Sequence, residues 1–298
     1  MKIRHICTLL VAGLLLSANG FRVSSKTVPR RLLIFAVWPG EKGKQPDAPI
    51  LDPIAILEGV KFDDPVKPVN SSEPQANANY DRFVKDYFQK DQKYPFLFGG
   101  SSKGTIAVEG AVGISCETLT ATVKTPVPFV NAQKALAVSS LQGLGLHENW
   151  RKPASAEERT EFLRLAANFL EKQGVANISV STIRLDNLRS TKLGVDRPEA
   201  LVGSVLVKTK TAVRYLFMVA ERKNAKWDAI LTSYHVGKDL EDGVDNVEED
   251  FVDQLDLFKN GVDVIVTICS YYESWDYTIY REEDGTWKKV YQGGGGGC

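Results

Sequence analysis

The chain is poor in the side chains that do chemistry near neutral pH. Its 298 residues hold three histidines and four cysteines. None of them stands at the His/Cys spacings that hold a zinc ion. An excess of charge is also missing, since Lys+Arg and Asp+Glu both number 37. A balanced chain lacks the electrostatic footprint of a polyanion binder, which excludes nucleic acid as a partner. The apolar stretch Ile6–Leu16 is shorter than the roughly 20 residues that cross a hydrocarbon core, and no later segment is longer. No transmembrane helix is therefore expected in the mature chain.

That stretch follows Lys2 and Arg4 and precedes Ser17-Ala18-Asn19-Gly20. The order is that of a secretory signal peptide spanning 1–20, with cleavage after Gly20. The expectation is an exported protein, periplasmic, envelope-associated or extracellular. The mature chain keeps Cys116, Cys269 and Cys298, an odd number for an oxidising compartment. Cys116 and Cys269 both sit in strand-like runs. A bridge between them and two separately buried thiols both fit that pattern. Residues 293–298 read as a Gly-rich tail, a flexible tether that offers Cys298 for thiol linkage.

Short β-type segments dominate the remainder. Arg31–Trp38 (RLLIFAVW) reads as a buried strand ended by Pro39-Gly40. Further strand-like runs follow to Val138, and residues 30–145 are expected to form an N-terminal β-rich domain. Within it, Tyr80, Phe83, Val84, Tyr87 and Phe88 recur at helical spacing and predict a short amphipathic helix. Residues 139–153 read as a linker. Ser155 and Glu158 then make a capping box, Phe162, Leu165, Ala166, Phe169 and Leu170 an apolar stripe, and Gly174 a stop. The segment 154–174 is thus a linking helix, expected to bury Phe162, Leu165 and Phe169 between two β regions. In 178–292 an Asp/Gly loop, two strands, a turn, a tryptophan (Trp227, then Trp287) and a strand occur twice in that order. Two copies of one antiparallel meander, neither able to bury its apolar face alone, account for this. The fold class is α+β, mostly β.

Leu255-Asp-Leu-Phe-Lys-Asn-Gly-Val-Asp-Val264 resembles the loop of FG-GAP or VCBS-type repeats, and Arg197–Val202 resembles the end of a second such loop. The resemblance implies a β-propeller-blade-like module over 178–292, of a kind found in secreted adhesion and ligand-binding proteins; two copies do not close a propeller. It also implies a calcium loop with Asp256, Asn260 and Asp263 as candidate ligands. Phe258 and Val264 replace two of the carboxylates that loop needs. Calcium takes six to eight oxygens, so weak Ca2+ binding, no tighter than about 10⁻⁴–10⁻³ M, is expected. Asp250 and Asp253 are near enough in sequence to supply the missing charge. The tail from Tyr271 resembles that of uncharacterised exported bacterial proteins and implies no activity.

Other motifs carry less. Residues 239–256 hold nine acidic residues and no basic one, which fits a solvated loop or a cation- or partner-binding surface. Gly100-Ser-Ser-Lys-Gly104 matches G-x-S-x-G, but a strand-like run follows where a nucleophile elbow needs a helix; a hairpin turn explains the glycines. His147 falls in the linker and His235 at a strand end, each read as a surface or half-buried polar residue. Tyr271, Tyr272, Trp275, Tyr277 and Tyr280 crowd ten residues, either pairing within the meander or forming an outward platform for a sugar or peptide. With no intact catalytic motif, the expected function is that of a non-catalytic binding protein with a protein or carbohydrate ligand and no resident cofactor. The alternative is a cell-envelope hydrolase whose Ser/His/Asp site assembles only in space.

Overall fold

A computed structural model describes residues 31–40, 48–66, 74–112, 119–126, 133–176, 178–209, 211–237 and 247–297, without the side chains of 74–77. The signal segment, Cys116, Cys298 and positions 239–246 of the acidic run lie outside the described residues. The protein is mostly β, as the alternating sequence requires, with antiparallel sheets and two α-helices among the described residues.

The first part of the chain closes a barrel. Strands β1 (Arg31–Trp38), β2 (Ile50–Glu58), β4 (Lys93–Phe98), β5 (Ser101–Val112), β6 (Thr120–Lys124) and β7 (Ala135–Val138) run in the order β1-β7-β4-β5-β6-β2, and β1 pairs with β2 to complete the circle. The short β3 (Lys61–Asp63) adds to the outer half of β2. Closure removes the free edges that a flat sheet would expose. Inside sit Leu33, Phe35, Val37, Leu51, Tyr94, Phe96 and Ile106. Helix α1 (Pro74–Tyr87), followed by Phe88, brings Phe83 and Phe88 into that core, as their spacing predicts. Register slips opposite Pro53 and Ala55, leaving a bulge at Ile54 next to a residue with no N–H to offer the ladder.

Strand β1 is buried on both faces, which explains its unbroken apolar run. Its outward residues Leu32, Ile34 and Ala36 pack with Val252, Val266, Tyr277 and Ile279. These belong to a four-stranded sheet of β13 (Glu248–Leu255), β14 (Val264–Ser270), β15 (Ser274–Glu283) and β16 (Thr286–Gly297). The opposite face of this sheet, through Phe251, Ile265, Tyr280 and Trp287, meets Leu193, Val202, Phe217 and Val219. Those come from a five-stranded sheet of β8 (Lys152–Pro153), β9 (Arg184–Lys192), β10 (Glu199–Lys208), β11 (Val213–Lys223) and β12 (Lys226–Gly237). Helix α2 (Ala156–Lys172) covers the far side of the five-stranded sheet. The layers are therefore barrel, four-stranded sheet, five-stranded sheet and α2, with the last sheet in the chain in the middle.

Two expectations change, and one open pair of readings is resolved. Helix α2 has the capping box, with the Ser155 hydroxyl accepting from Glu158 N–H and the Glu158 carboxylate accepting from Ser155 N–H, and Gly174 follows it at φ +80°. Yet α2 forms the outermost layer instead of linking two β regions, because its single apolar stripe can cover only one sheet. Phe162, Ala166 and Leu170 are buried, while Leu165 and Phe169 are only half-buried. Residues 293–297 are not a tether, since they continue β16 and pair with β15. Gly294 and Gly295 adopt φ +66° and +74°, and a Cβ there would strike the Ile54 and Trp275 carbonyls. Only glycine permits both the conformation and the close approach. Of the two readings of the aromatic run, packing within the meander holds and the outward platform does not form. Tyr277 and Tyr280 are buried, Trp275 is tied to Asp52, and Tyr272 alone is well exposed at 63%.

Candidate functional site

The densest polar cluster sits where barrel, linker and both sheets meet. The β4–β5 hairpin turns through Gly99 and Gly100 at φ +60° and +74°. A hairpin turn read from the glycines of 100–104 is therefore present but falls at Gly99-Gly100; Ser101–Gly104 lie in β5, and no helix follows Ser102. The turn docks on the linker: a Cβ on Gly99 would strike Asn149, and one on Gly100 would strike the His147 ring. Gly99 N–H donates to both oxygens of Asp253, at 3.0 and 3.1 Å. Arg151 Nη1 pairs with Asp253 Oδ1 at 3.1 Å and donates to the carbonyls of Val252 and Lys134. The Arg151 guanidinium lies between the rings of Phe98 and Phe251. Burial pushes the Asp253 carboxyl up, and Arg151 and Gly99 N–H pull against it. Asp253 is thus engaged in the core and does not reach the 256–264 loop as a calcium ligand.

His147 is not a surface residue. Its side chain is 4% exposed, and Nε2–H donates to Asp263 at 2.9 and 3.0 Å while Nδ1–H donates to the Glu148 carbonyl at 2.7 Å. Burial lowers its affinity for a proton, but Asp263 and the Glu148 carbonyl outweigh that and raise it above the ordinary histidine value. Both ring nitrogens are thus engaged, one by Asp263 and one by the Glu148 carbonyl. Gln254 completes the group: its Nε2–H donates to Asp263 at 2.7 Å and to the Lys192 carbonyl, and Thr191 Oγ1–H donates to its Oε1 at 3.0 Å.

The three calcium candidates are placed as follows. Asp256 accepts from the backbone N–H groups of Phe258, Asn260 and Gly261, at 3.2, 3.2 and 2.8 Å. Its carboxylate therefore faces donors and organises the turn. Asn260 Oδ1 accepts from Val262 N–H at 3.1 Å. Asp263 serves His147 and Gln254. The two Asp/Gly loops touch, through a bridge of Gly194 with Val262 and Asp263 N–H donating to the Leu193 carbonyl. The described residues contain no group of three or more His, Cys, Asp or Glu able to hold a metal ion.

Two more buried acids have full sets of partners. Glu249 accepts from Thr267 Oγ1–H at 2.7 Å and Tyr280 O–H at 2.8 Å, and its other oxygen lies 3.5 Å from His235 Nε2. Ser233 Oγ is 3.1 Å from the same His235 nitrogen. Burial raises the Glu249 carboxyl, but these hydrogen bonds more than offset it and hold the group below the usual range. Asp52 Oδ2 accepts from Tyr277 O–H at 2.5 Å and Trp275 Nε1–H at 2.8 Å, and Trp38 Nε1–H donates to the Tyr277 oxygen. Burial pushes Asp52 up to about 6 against those hydrogen bonds. Cys269 is a buried free thiol, raised well above its ordinary value by burial and by Glu249.

Beside the His147 cluster a groove opens at the surface. One cavity of about 300 Å³ is lined by Asn149, Trp150, Arg151, Lys152, Thr191 and Lys192, among others. It adjoins one of about 680 Å³ at the start of α2, walled by Trp227 and Arg222, and the two share Lys152 and Glu199. Trp150 stacks on the His147 ring, 4.2 Å between centroids and 9° from parallel. Nothing in the sequence marked this surface beyond two separated tryptophans. No family model, curated protein or solved structure matches the chain.

Proposed function

We propose that the protein is an exported, non-catalytic binding protein of the cell envelope or extracellular space, with the groove from Trp150 to Trp227 as its ligand surface. The observation that carries this reading is a contrast in how polar groups are used. In the buried clusters around His147 and Arg151 the charged side chains engage one another. In the groove, donors and an indole wall stay open to solvent. The charged, apolar and small-residue order of 1–20 supports export, and the likeness of 178–292 to FG-GAP repeats supports a binding role. The test is a titration of the mature protein against envelope and medium glycans and peptides, followed by tryptophan fluorescence. Saturable binding without turnover, lost in Trp150→Ala, is the expected result. Binding unchanged in Trp150→Ala and Trp227→Ala removes the groove from the reading.

The hydrolase alternative has one observation behind it, the meeting of Ser233, His235 and Glu249. Its geometry is poor for the task. Serine and acid share Nε2, whereas a triad needs them on opposite ring nitrogens. Turnover of model esters or glycosides that disappears in His235→Ala would put this reading first.

A further inference from the structure

We propose that Asn260 is a self-modification site, whose side-chain amide is converted without an enzyme to aspartate and isoaspartate through attack by the Gly261 backbone nitrogen. The reaction is independent of any ligand in the groove. Asn260-Gly261 is the one Asn-Gly pair outside residues 1–20. It stands in the loop between β13 and β14, and Asn260 is exposed. Gly261 has φ +83°, and a Cβ built on it would meet nothing within 4 Å. The attacking nitrogen thus has no side chain beside it, and the space around it is open to water.

Two further groups are placed for the reaction. Val262 N–H donates to Asn260 Oδ1 at 3.1 Å. That contact folds the side chain back over the peptide that follows it and polarises the carbonyl under attack. The same N–H is placed to stabilise the oxyanion that forms. On the other side, Gly261 N–H donates to Asp256 Oδ2 at 2.8 Å, within the reach required of a base. The N–H bond lies in the peptide plane, whereas the nitrogen attacks through the electron density above that plane. The Asp256 contact therefore leaves the attacking face free. Asp256 is 3% exposed, and its other oxygen accepts from Phe258 and Asn260 N–H at 3.2 Å each. Its carboxylate is held in place before the reaction begins.

The bond from Gly261 N to Asn260 Cγ forms as the amide proton passes to Asp256. The Cγ–Nδ2 bond then breaks, and that proton leaves on ammonia. A five-membered succinimide remains, and solvent water adds to one of its two carbonyls. Opening on one side restores the ordinary backbone with aspartate at 260. Opening on the other gives isoaspartate, whose backbone is one atom longer. No electrons are gained or lost. The two Asp/Gly loops meet at this point, with Val262 bridged to Gly194 and Asp263 N–H donating to the Leu193 carbonyl at 3.1 Å. A new negative charge beside Asp256, and in isoaspartate the extra atom, weaken that contact between the meanders. The change is irreversible, so it records the age of the molecule.

The test incubates the mature protein at neutral pH, in buffer and in urea strong enough to unfold it. Peptide mapping by mass spectrometry follows conversion at Asn260, with digestion in heavy-oxygen water to separate conversion before digestion from conversion during it. The expected rate is at least about tenfold higher in the folded protein, the low side of what a positioned base and oxyanion donor contribute. Asp256→Asn, similar in shape but unable to take the proton, should remove that advantage, and its folding is checked by circular dichroism. A folded rate equal to or below the unfolded one overturns the proposal and needs no variant. Fast conversion that persists in folded Asp256→Asn also overturns it, because exposure of the loop then suffices.

Discussion

Strands β9–β12 and β13–β16 are both antiparallel four-strand meanders, yet they bury different chemistry. The first has α2 on one face and a sheet on the other, and its buried polar groups are Ser190, Thr191, Ser204 and Glu221. The second lies between two β layers and buries Glu249, Asp253, Gln254, Asp256, Asp263, Thr267 and Thr278. Apolar contact has no direction, so a sheet between two others can slip at little cost. Directed hydrogen bonds to Asp52 and from Gly99, His147, Arg151 and Thr191 fix the second meander against barrel, linker and neighbouring sheet. We read its polar burial as a positioning device, which buried charge supplies at some cost in stability.

The sharpest way to break this comparison is at Arg151. Arg151→Ala leaves Asp253 buried without its cation and should destabilise by roughly 3–5 kcal/mol in urea unfolding. Arg151→Met with Asp253→Leu should recover much of that loss, because removing both charges also removes their desolvation. If the double variant is as unstable as the single one, the positioning account fails. On the first meander the apolar counterpart is Phe162→Ala, expected to cost about 3–5 kcal/mol. Phe169→Ala, half-buried against Tyr234, should cost clearly less in the same assay.

Asp52 gives the comparison a pH axis. Its folded value of about 6 exceeds the ordinary 3.8, so the folded state holds a proton that the unfolded chain releases. The stability this confers is complete below about pH 4 and is lost as pH rises through about 6, roughly 3 kcal/mol in all. His147, raised from 6.5, acts in the same direction at higher pH. Thermal melts of Asp52→Asn should show a shallower decline between pH 4 and 7 than the parent; an unchanged slope assigns the effect elsewhere. Gly294→Ala should cost roughly 1–3 kcal/mol through strain against the Ile54 carbonyl. The smallest effect is that of calcium, where calorimetry should find no affinity tighter than about 10⁻⁴–10⁻³ M. Micromolar binding that vanishes in Asp256→Ala would give the 256–264 loop a role beyond turn geometry.

What the sequence made legible was local. Ser155, Glu158 and Gly174 act within a few residues of one another, and the α2 boundaries follow from them. The glycines of 100–104 marked a hairpin, although the turn itself falls at Gly99-Gly100. The barrel closes through β1–β2 and β1–β7 pairing, which leaves no mark on any short window. His147 looked like a linker residue because its partner Asp263 stands 116 positions away. The aromatics of 271–280 fitted both packing within the meander and an outward platform, because Asp52, which holds Tyr277, is 225 positions away. Gly293–Gly297 reads as slack in one dimension, since missing side chains resemble freedom. In space they are missing because other atoms occupy the room.

The Ile54 carbonyl, left outside the ladder at the barrel bulge, accepts from Tyr291 O–H at 2.8 Å, across 237 positions of chain. A ribosome adding roughly 5–20 residues per second needs about ten to fifty seconds to cover that distance. The last barrel strand ends at Val138, and Leu32, Ile34 and Ala36 have no sheet to lie against until β13–β15 are made. The nascent chain thus carries an uncovered apolar flank until β15 emerges. Release of the chain, or a holdase gripping β1 until then, would set when the molecule becomes safe from aggregation.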